Sequence, residues 1–203
     1  LAYLDEVNTR YERPVITREF DHSWHMYDRH LYQGSAWRIH MLRAKLGEND
    51  FWRATQQYLT QYASKCAETD DFRRCLEATS GYHLSRFFED WFRRPGCPAL
   101  NLSLQISDRG DRTATATLVM DKPSDGGEFF ELAFDVSLLD DSGQWQRKPV
   151  WFDNGRASVS FNLTGAVEQL VVDPDSRQLF KLTSSISASV YVKMVVECPL
   201  VSG

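Results

Sequence analysis

"LSRFFEDWFRRPGCPALNLSLQIS", residues Leu84 to Ser107, contains the change of rhythm that settles the architecture. Leu84, Phe87, Phe88 and Trp91 fall at i, i+3, i+4 and i+7, the spacing that gathers side chains on one face of an α-helix. Pro95, Gly96 and Pro98 then stop it, because proline lacks the backbone N–H that a continuing helix needs. Beyond Pro98 the apolar residues Leu100, Leu102, Leu104 and Ile106 alternate with polar ones, the period-two pattern of a half-buried strand. The boundary between a helical part and a β part therefore falls near Gly96 to Ala99.

Upstream, three more helices are expected. "RHLYQGSAWRIHMLRAKLG" places Leu31, Ser35, Ile39, Leu42 and Leu46 along one stripe, with Asp28 as N-cap and Gly47 as stop. A second helix begins near Asp50 and turns Phe51, Ala54, Tyr58, Leu59 and Tyr62 inward. Thr69 caps a third, whose early Asp70 and Asp71 suit the positive end of the helix dipole and which stops at Gly81. Downstream the period stays at two in "TATATLVM", "FFELAFDVSLL", "SVSFNL", "VEQLVV" and "LFKL". Turn chemistry separates them, and the Asn-Gly pair of "DNGR" is a strong hairpin signal. About seven strands at near-regular spacing predict an antiparallel β-sandwich. The expected fold is thus α+β in two parts: a small α-helical bundle over residues 1–98 and a β-sandwich over 99–184. Residues 185–203 form a tail that is either one more strand or the start of another element.

Composition narrows the function classes. Of 203 residues 42% are hydrophobic and 13% aromatic, enough for a core. A net charge of -5, with no basic run longer than a pair such as Arg73-Arg74 or Arg93-Arg94, gives no surface for nucleic acid. No apolar run approaches the roughly 18 to 20 residues of a membrane span, and "LAYLDEVNTRYE" has neither the basic start nor the apolar centre of a signal peptide. Cys66, Cys75, Cys97 and Cys198 lack the density of a disulfide framework, so reduced thiols and a cytoplasmic setting are favoured. The first residue is Leu1 and the chain opens in mid-pattern, as a piece of a longer polypeptide would.

Three histidines, His22, His25 and His30, raise the question of a metal. His22 and His25 are three apart, which can bring two ligands to one helical face, yet H-E-x-x-H occurs nowhere and no carboxylate or cysteine supplies an evident third ligand. They read as hydrogen-bonding or packing residues of the segment that leads into the first long helix. No G-x-S-x-G, Walker A or dinucleotide motif is present.

The landmarks of the helical part, in order, are Tyr32, Ala36, Leu46-Gly47, Phe51-Trp52, Thr69 with Asp71, Ser80-Gly81, Phe87-Phe88 with Trp91, and Pro95-Gly96 with Pro98. Over this stretch the chain resembles the aminopeptidase N family of zinc metallopeptidases, in the region that follows their metal-binding helices. "YERPVIT" is similar to the preceding segment of bacterial members, and "VVDPDSRQLFKL" to the last hairpin of the family's β-sandwich. In that family a zinc ion held by two histidines and a glutamate activates water, and a tyrosine from the next helix donates a hydrogen bond to the oxyanion of the tetrahedral intermediate. By motif position that tyrosine is Tyr32. Where the family commonly has Lys-Gly, this chain has Gly34-Ser35, and the added glycine is expected to loosen the first helical turn by roughly 1 kcal/mol.

The resemblance implies the C-terminal part of a zinc-dependent aminopeptidase, with the zinc ligands and general base on an upstream segment. The chain alone is then expected to bind no catalytic zinc and to be inactive. Its implied partners are the peptide substrate and the missing N-terminal lobe, and the surface left without that lobe favours self-association through an apolar patch around the first helix. The competing reading is a non-catalytic, peptidase-like scaffold for protein interaction. An independent sugar-binding sandwich is weaker, since it leaves the helical landmarks unexplained.

Overall fold

The computed structural model describes residues 2–107, 111–123, 126–186 and 191–194. The chain divides between Gly96 and Cys97 into two compact units.

The helical unit contains α1 (Ala2–Thr9), α2 (Ser35–Leu46), α3 (Glu48–Gln61), α4 (Thr69–Ser80) and the short α5 (Ser85–Phe88). The helix α1 has no counterpart in the sequence-based expectation; it buries Tyr3 and Glu6, three residues apart on one face. Gly47, at φ 80°, ends α2 and opens α3, whose first turn carries Glu48 and Asp50 where the dipole favours them. Helices α3 and α4 pack through Tyr58 against the edge of Phe72, with ring centroids 5.1 Å apart. The start of α4 lies one residue earlier than expected: the Glu68 N–H donates to Asp71 Oδ2 at 2.9 Å, so Glu68 rather than Thr69 is the cap. Gly81, at φ 75°, closes it. After α5 the helical path continues through a wider turn, in which the Arg94 N–H reaches back five residues to Glu89 O at 3.0 Å. Leu84, Phe87, Phe88 and Trp91 are all buried, as their spacing predicts.

Two expectations need correction. The buried face of α2 holds Trp37, Arg38, Met41, Leu42 and Leu46, whereas Leu31, Ser35 and Ile39 are only half-buried. A charged residue, Arg38, occupies the middle of the buried face, and a hydrophobic stripe drawn to avoid it lands about one residue off centre. In α3, Leu59 is exposed rather than inward.

The second unit holds two four-stranded sheets. One has the order β5 (Arg156–Asn162), β2 (Thr113–Met120), β1 (Ala99–Ser107), β7 (Lys181–Ser184); the other β4 (Trp145–Trp151), β3 (Ala133–Asp140), β6 (Val167–Val172), β8 (Tyr191–Met194). Register follows the alternation: Leu100 faces Met120 and Leu102 faces Leu118 across β1 and β2, and all four are buried. Val136, Leu138, Leu170 and Val172 supply the corresponding core residues of the second sheet. Strand β4, "WQRKPVW", carries Pro149 within it and accordingly lies at a sheet edge, where a missing ladder donor is tolerated. Asn154 and Gly155, at φ 47° and 73°, make the tight turn their identity predicts, with Asp153 and Arg156 exchanging two backbone bonds at 2.9 Å. The strands on either side of that turn belong to different sheets, so it is a corner and not the bend of a two-stranded hairpin. Strands β7 and β8 join their sheets in parallel, and β8 draws on residues the sequence left as a tail. The described strands number eight against the expected seven.

Candidate active site

Tyr32 lies on the helical turn His30–Gly34 that leads into α2. This turn is closed by Gly34 N–H donating to Arg29 O at 2.8 Å, a five-residue step of the kind often found at functional sites. The Tyr32 side chain is 56% exposed, and among the described residues nothing bonds its hydroxyl. Its ring stands 6.3 Å from that of Tyr27, which in turn lies 5.2 Å from Trp24. These rings, with Tyr11, Phe20 and Asp28, line part of a cleft of about 770 Å³.

Asp28 anchors the turn. Its Oδ1 accepts the Leu31 N–H at 2.9 Å, the capping role read from sequence, and the Tyr32 N–H reaches its backbone carbonyl at 3.2 Å. Arg13 grips both carboxylate oxygens, Nε to Oδ2 at 2.8 Å and Nη2 to Oδ1 at 2.7 Å, and the Tyr11 hydroxyl donates to Oδ2 at 2.7 Å. Burial opposes ionisation at Asp28, but Arg13, Tyr11 and the Leu31 amide outweigh it and hold the carboxyl down to about 2. Burial and the bond to Asp28 push the Tyr11 hydroxyl up, so it stays a donor.

Of the three histidines, His22 accepts the Trp24 N–H at 3.2 Å and so caps a single helical turn, Ser23–Met26. His25 packs near it, with ring centroids 5.9 Å apart. His30 is fully buried between the edge-on ring of Tyr3 and the stacked ring of Tyr11, at 5.4 and 5.1 Å. Neither of its nitrogens has a hydrogen-bond partner, although Nδ1 lies 3.4 Å from Asp28 Oδ2 and 3.9 Å from Glu6 Oε2. Burial lowers its pKa from the usual histidine value, which keeps the ring neutral.

The sequence reading missed the residues that hold this turn from behind. Arg38 is fully buried and donates from Nη1 to Gly34 O at 2.9 Å, from Nη2 to Tyr3 Oη at 3.0 Å and to Gly96 O at 2.9 Å, and from Nε to Trp91 O. Its guanidinium also lies 4.9 Å from the centre of the Tyr3 ring. Glu6, 2% exposed, accepts the Arg29 N–H at 2.8 Å. The signal that could have exposed both is position: Arg38 lies four residues from Gly34 and one from Trp37, and Glu6 three from Tyr3.

Gly34 reverses one expectation. A Cβ built there would stand 2.9 Å from Tyr3 Cδ2 and 3.1 Å from Arg38 Nη1. The glycine therefore does not slacken the turn; its missing side chain is what lets Tyr3 and Arg38 close against it.

The donor set does not fit a catalytic zinc ion: among the described residues no three His, Cys, Asp or Glu side chains converge as a metal site would require, and His22 Nδ1 is engaged by a backbone amide. Cys66 and Cys75 are free thiols, and Cys198 lies outside the described residues. No helix among the described residues is long and apolar enough to cross a membrane.

A helical unit followed by a two-sheet unit has counterparts among known proteins. Residues 4–91 match the model of the Peptidase family M1 domain. The chain is 33% identical over 82 residues to Probable aminopeptidase 2 of Sulfurisphaera tokodaii, covering 40% of this chain and 10% of that protein. It is 25% identical over 165 residues to Aminopeptidase M1-A of Oryza sativa subsp. japonica, covering 81% of this chain and 18% of that one. Among solved structures, Legionella pneumophila aminopeptidase A in complex with aspartic acid matches 74% of this chain and 17% of its own, with a TM-score of 0.58 at 18% identity, a likeness of fold. The chain thus spans less than a fifth of the length of these relatives. M1 aminopeptidases are in general zinc-dependent.

Proposed function

We propose that this chain is the distal part of the catalytic domain, with the following β-sandwich, of a zinc-dependent aminopeptidase that hydrolyses N-terminal peptide bonds. The zinc ligands and general base stand on a segment outside it. The observation that carries the reading is the combination at Tyr32: an open phenol on a turn whose amides, cap and packing are all engaged. A phenol suits the role because its hydroxyl donates a hydrogen bond that strengthens as negative charge develops on the substrate oxygen. The segment from Tyr11 to Tyr27 lines the cleft beside it, where the peptide and the absent lobe are the proposed partners.

In the full-length protein that carries this chain, Tyr32→Phe is expected to lower kcat by about 10² to 10³ with KM little changed, the effect of removing one oxyanion donor. An unchanged rate would remove Tyr32 from the mechanism. Full-length protein without zinc and without peptidase activity would point instead to an interaction scaffold.

A further inference from the structure

We propose that Glu6 is a positioning residue for Tyr32, acting as a cap supplied to the tyrosine-bearing turn by a different helix. The inference rests on the assignment of Tyr32 above. The first N–H groups of any helical run have no partner within it and must find one outside. Here Leu31 N–H goes to the local carboxylate of Asp28, while Arg29 N–H goes to Glu6 Oε2 at 2.8 Å, 23 residues away on α1. Glu6 is 2% exposed, and a carboxylate so buried persists only when its oxygens are engaged. Its other oxygen meets Arg10 Nη1 at 2.7 Å. It also forms one wall of the pocket that encloses His30, 3.9 Å from Nδ1.

The same face of α1 reaches the other end of the turn. Tyr3, one helical turn before Glu6, is the side chain that Gly34 makes room for, and its hydroxyl receives Arg38 Nη2. Arg29 adds a third tie, from Nη1 to Asp5 Oδ2 at 2.5 Å. Helix α1 therefore grips the run Arg29–Gly34 at its start through Glu6 and at its end through Tyr3, with Tyr32 between the two grips. The five-residue step takes this short run off the regular four-residue ladder of α2, so its direction depends on what holds the ends. Removing Glu6 frees the first grip and takes from the part-buried Arg29 amide its side-chain partner, and the turn shifts in response, which carries the Tyr32 hydroxyl off its aim.

The test uses the full-length protein, with Glu6→Ala, Glu6→Gln, Tyr32→Phe and the double variant Glu6→Ala with Tyr32→Phe. Glu6→Ala is expected to lower kcat about tenfold to a hundredfold with KM unchanged, the scale of a displacement of about 1 Å. Glu6→Gln, whose amide oxygen can still accept the Arg29 N–H, restores most of the rate. In the Tyr32→Phe background Glu6→Ala costs nothing further, because there is no hydroxyl left to aim. If Glu6→Ala lowers kcat by the same factor in both backgrounds, or leaves it unchanged, the positioning role is wrong while Tyr32 stands. If Tyr32→Phe alone changes nothing, both assignments fall together. Should Glu6→Ala not fold, loss of rescue by Glu6→Gln with a native melting curve overturns the proposal on its own.

Discussion

Gly34 shows how a single position decides between two readings of the same turn. As a helix residue glycine costs about 1 kcal/mol against alanine, which argues for a loosened start to α2. The surroundings reverse the sign: the Tyr3 ring occupies the space a Cβ would need, at 2.9 Å, and Tyr3 is itself only 3% exposed and held by Arg38. Gly34→Ala is therefore expected to destabilise the helical unit by about 1 to 3 kcal/mol, the range of an overpacked core, despite the better helix propensity of alanine. Thermal or urea unfolding checks this, and a melting temperature equal to or above that of the parent sequence would contradict it. Arg38 makes the complementary point. A buried guanidinium with three carbonyls and a hydroxyl around it is satisfied by neutral dipoles, those of Gly34, Trp91 and Gly96 and the Tyr3 hydroxyl.

At the scale of elements, the turn His30–Gly34 depends on two groups whose protonation is set by folding. Asp28 is held at about 2 against an ordinary 3.8, with its side chain 6% exposed. Its stabilisation is fully present above the unfolded value, is lost as pH falls through the folded value, and amounts to about 2 kcal/mol. His30 is a base whose pKa folding lowers, so it too stabilises the neutral-pH state and loses that contribution on acidification, beginning below the unfolded value of 6.5. The groups facing it are Asp28 and Glu6, which favour its charged form, and Arg13 and Arg38, which oppose it; burial outweighs them. The helical unit is thus expected to weaken in two stages, first below about pH 6.5 through His30 and then between about pH 4 and 2 through Asp28. Asp28→Asn is predicted to make the second stage shallower, Asp70 and Asp71 also being held below the usual carboxylate range by their arginine partners and the Glu68 amide, and to lower stability at pH 7. Urea midpoints measured from pH 7 to 2 decide it, and an Asp28→Asn curve parallel to the original across pH 4 to 2 would refute the assignment.

For the whole molecule, the exposed aromatic surface lies where α2 begins rather than on α2 itself. Trp24, Tyr27 and Phe20 are 70%, 59% and 51% exposed, whereas Trp37, Met41, Leu42 and Leu46 of α2 are buried. An exposed aromatic group of this kind is a candidate site of association. The isolated 203-residue chain is expected to self-associate through it. Sedimentation of Trp24→Ser with Phe20→Ser should shift toward monomer, and an unchanged distribution would count against this surface.

What the sequence determined by itself is the alternation of periods: helices closed by Gly47 and Gly81, strands β1 and β2 to the residue, and the break between Gly96 and Ala99. Such features depend on backbone chemistry and on spacing within about ten residues, which a sequence states directly. The Asp28 cap was legible for the same reason, whereas Tyr32 was singled out by resemblance to a family and not by spacing. The rest required contacts between residues far apart in the chain. Glu6 meets Arg29 across 23 residues and Arg38 meets Gly96 across 58, and each places a charge on a face that hydrophobic spacing assigns to apolar groups. The turn between β4 and β5 has the residues of a hairpin, and only sheet packing assigns its two arms to different layers. A buried charge or a corner is stabilised by partners brought by the fold, so its reason is absent from its own neighbourhood and appears only when the chain has closed around it.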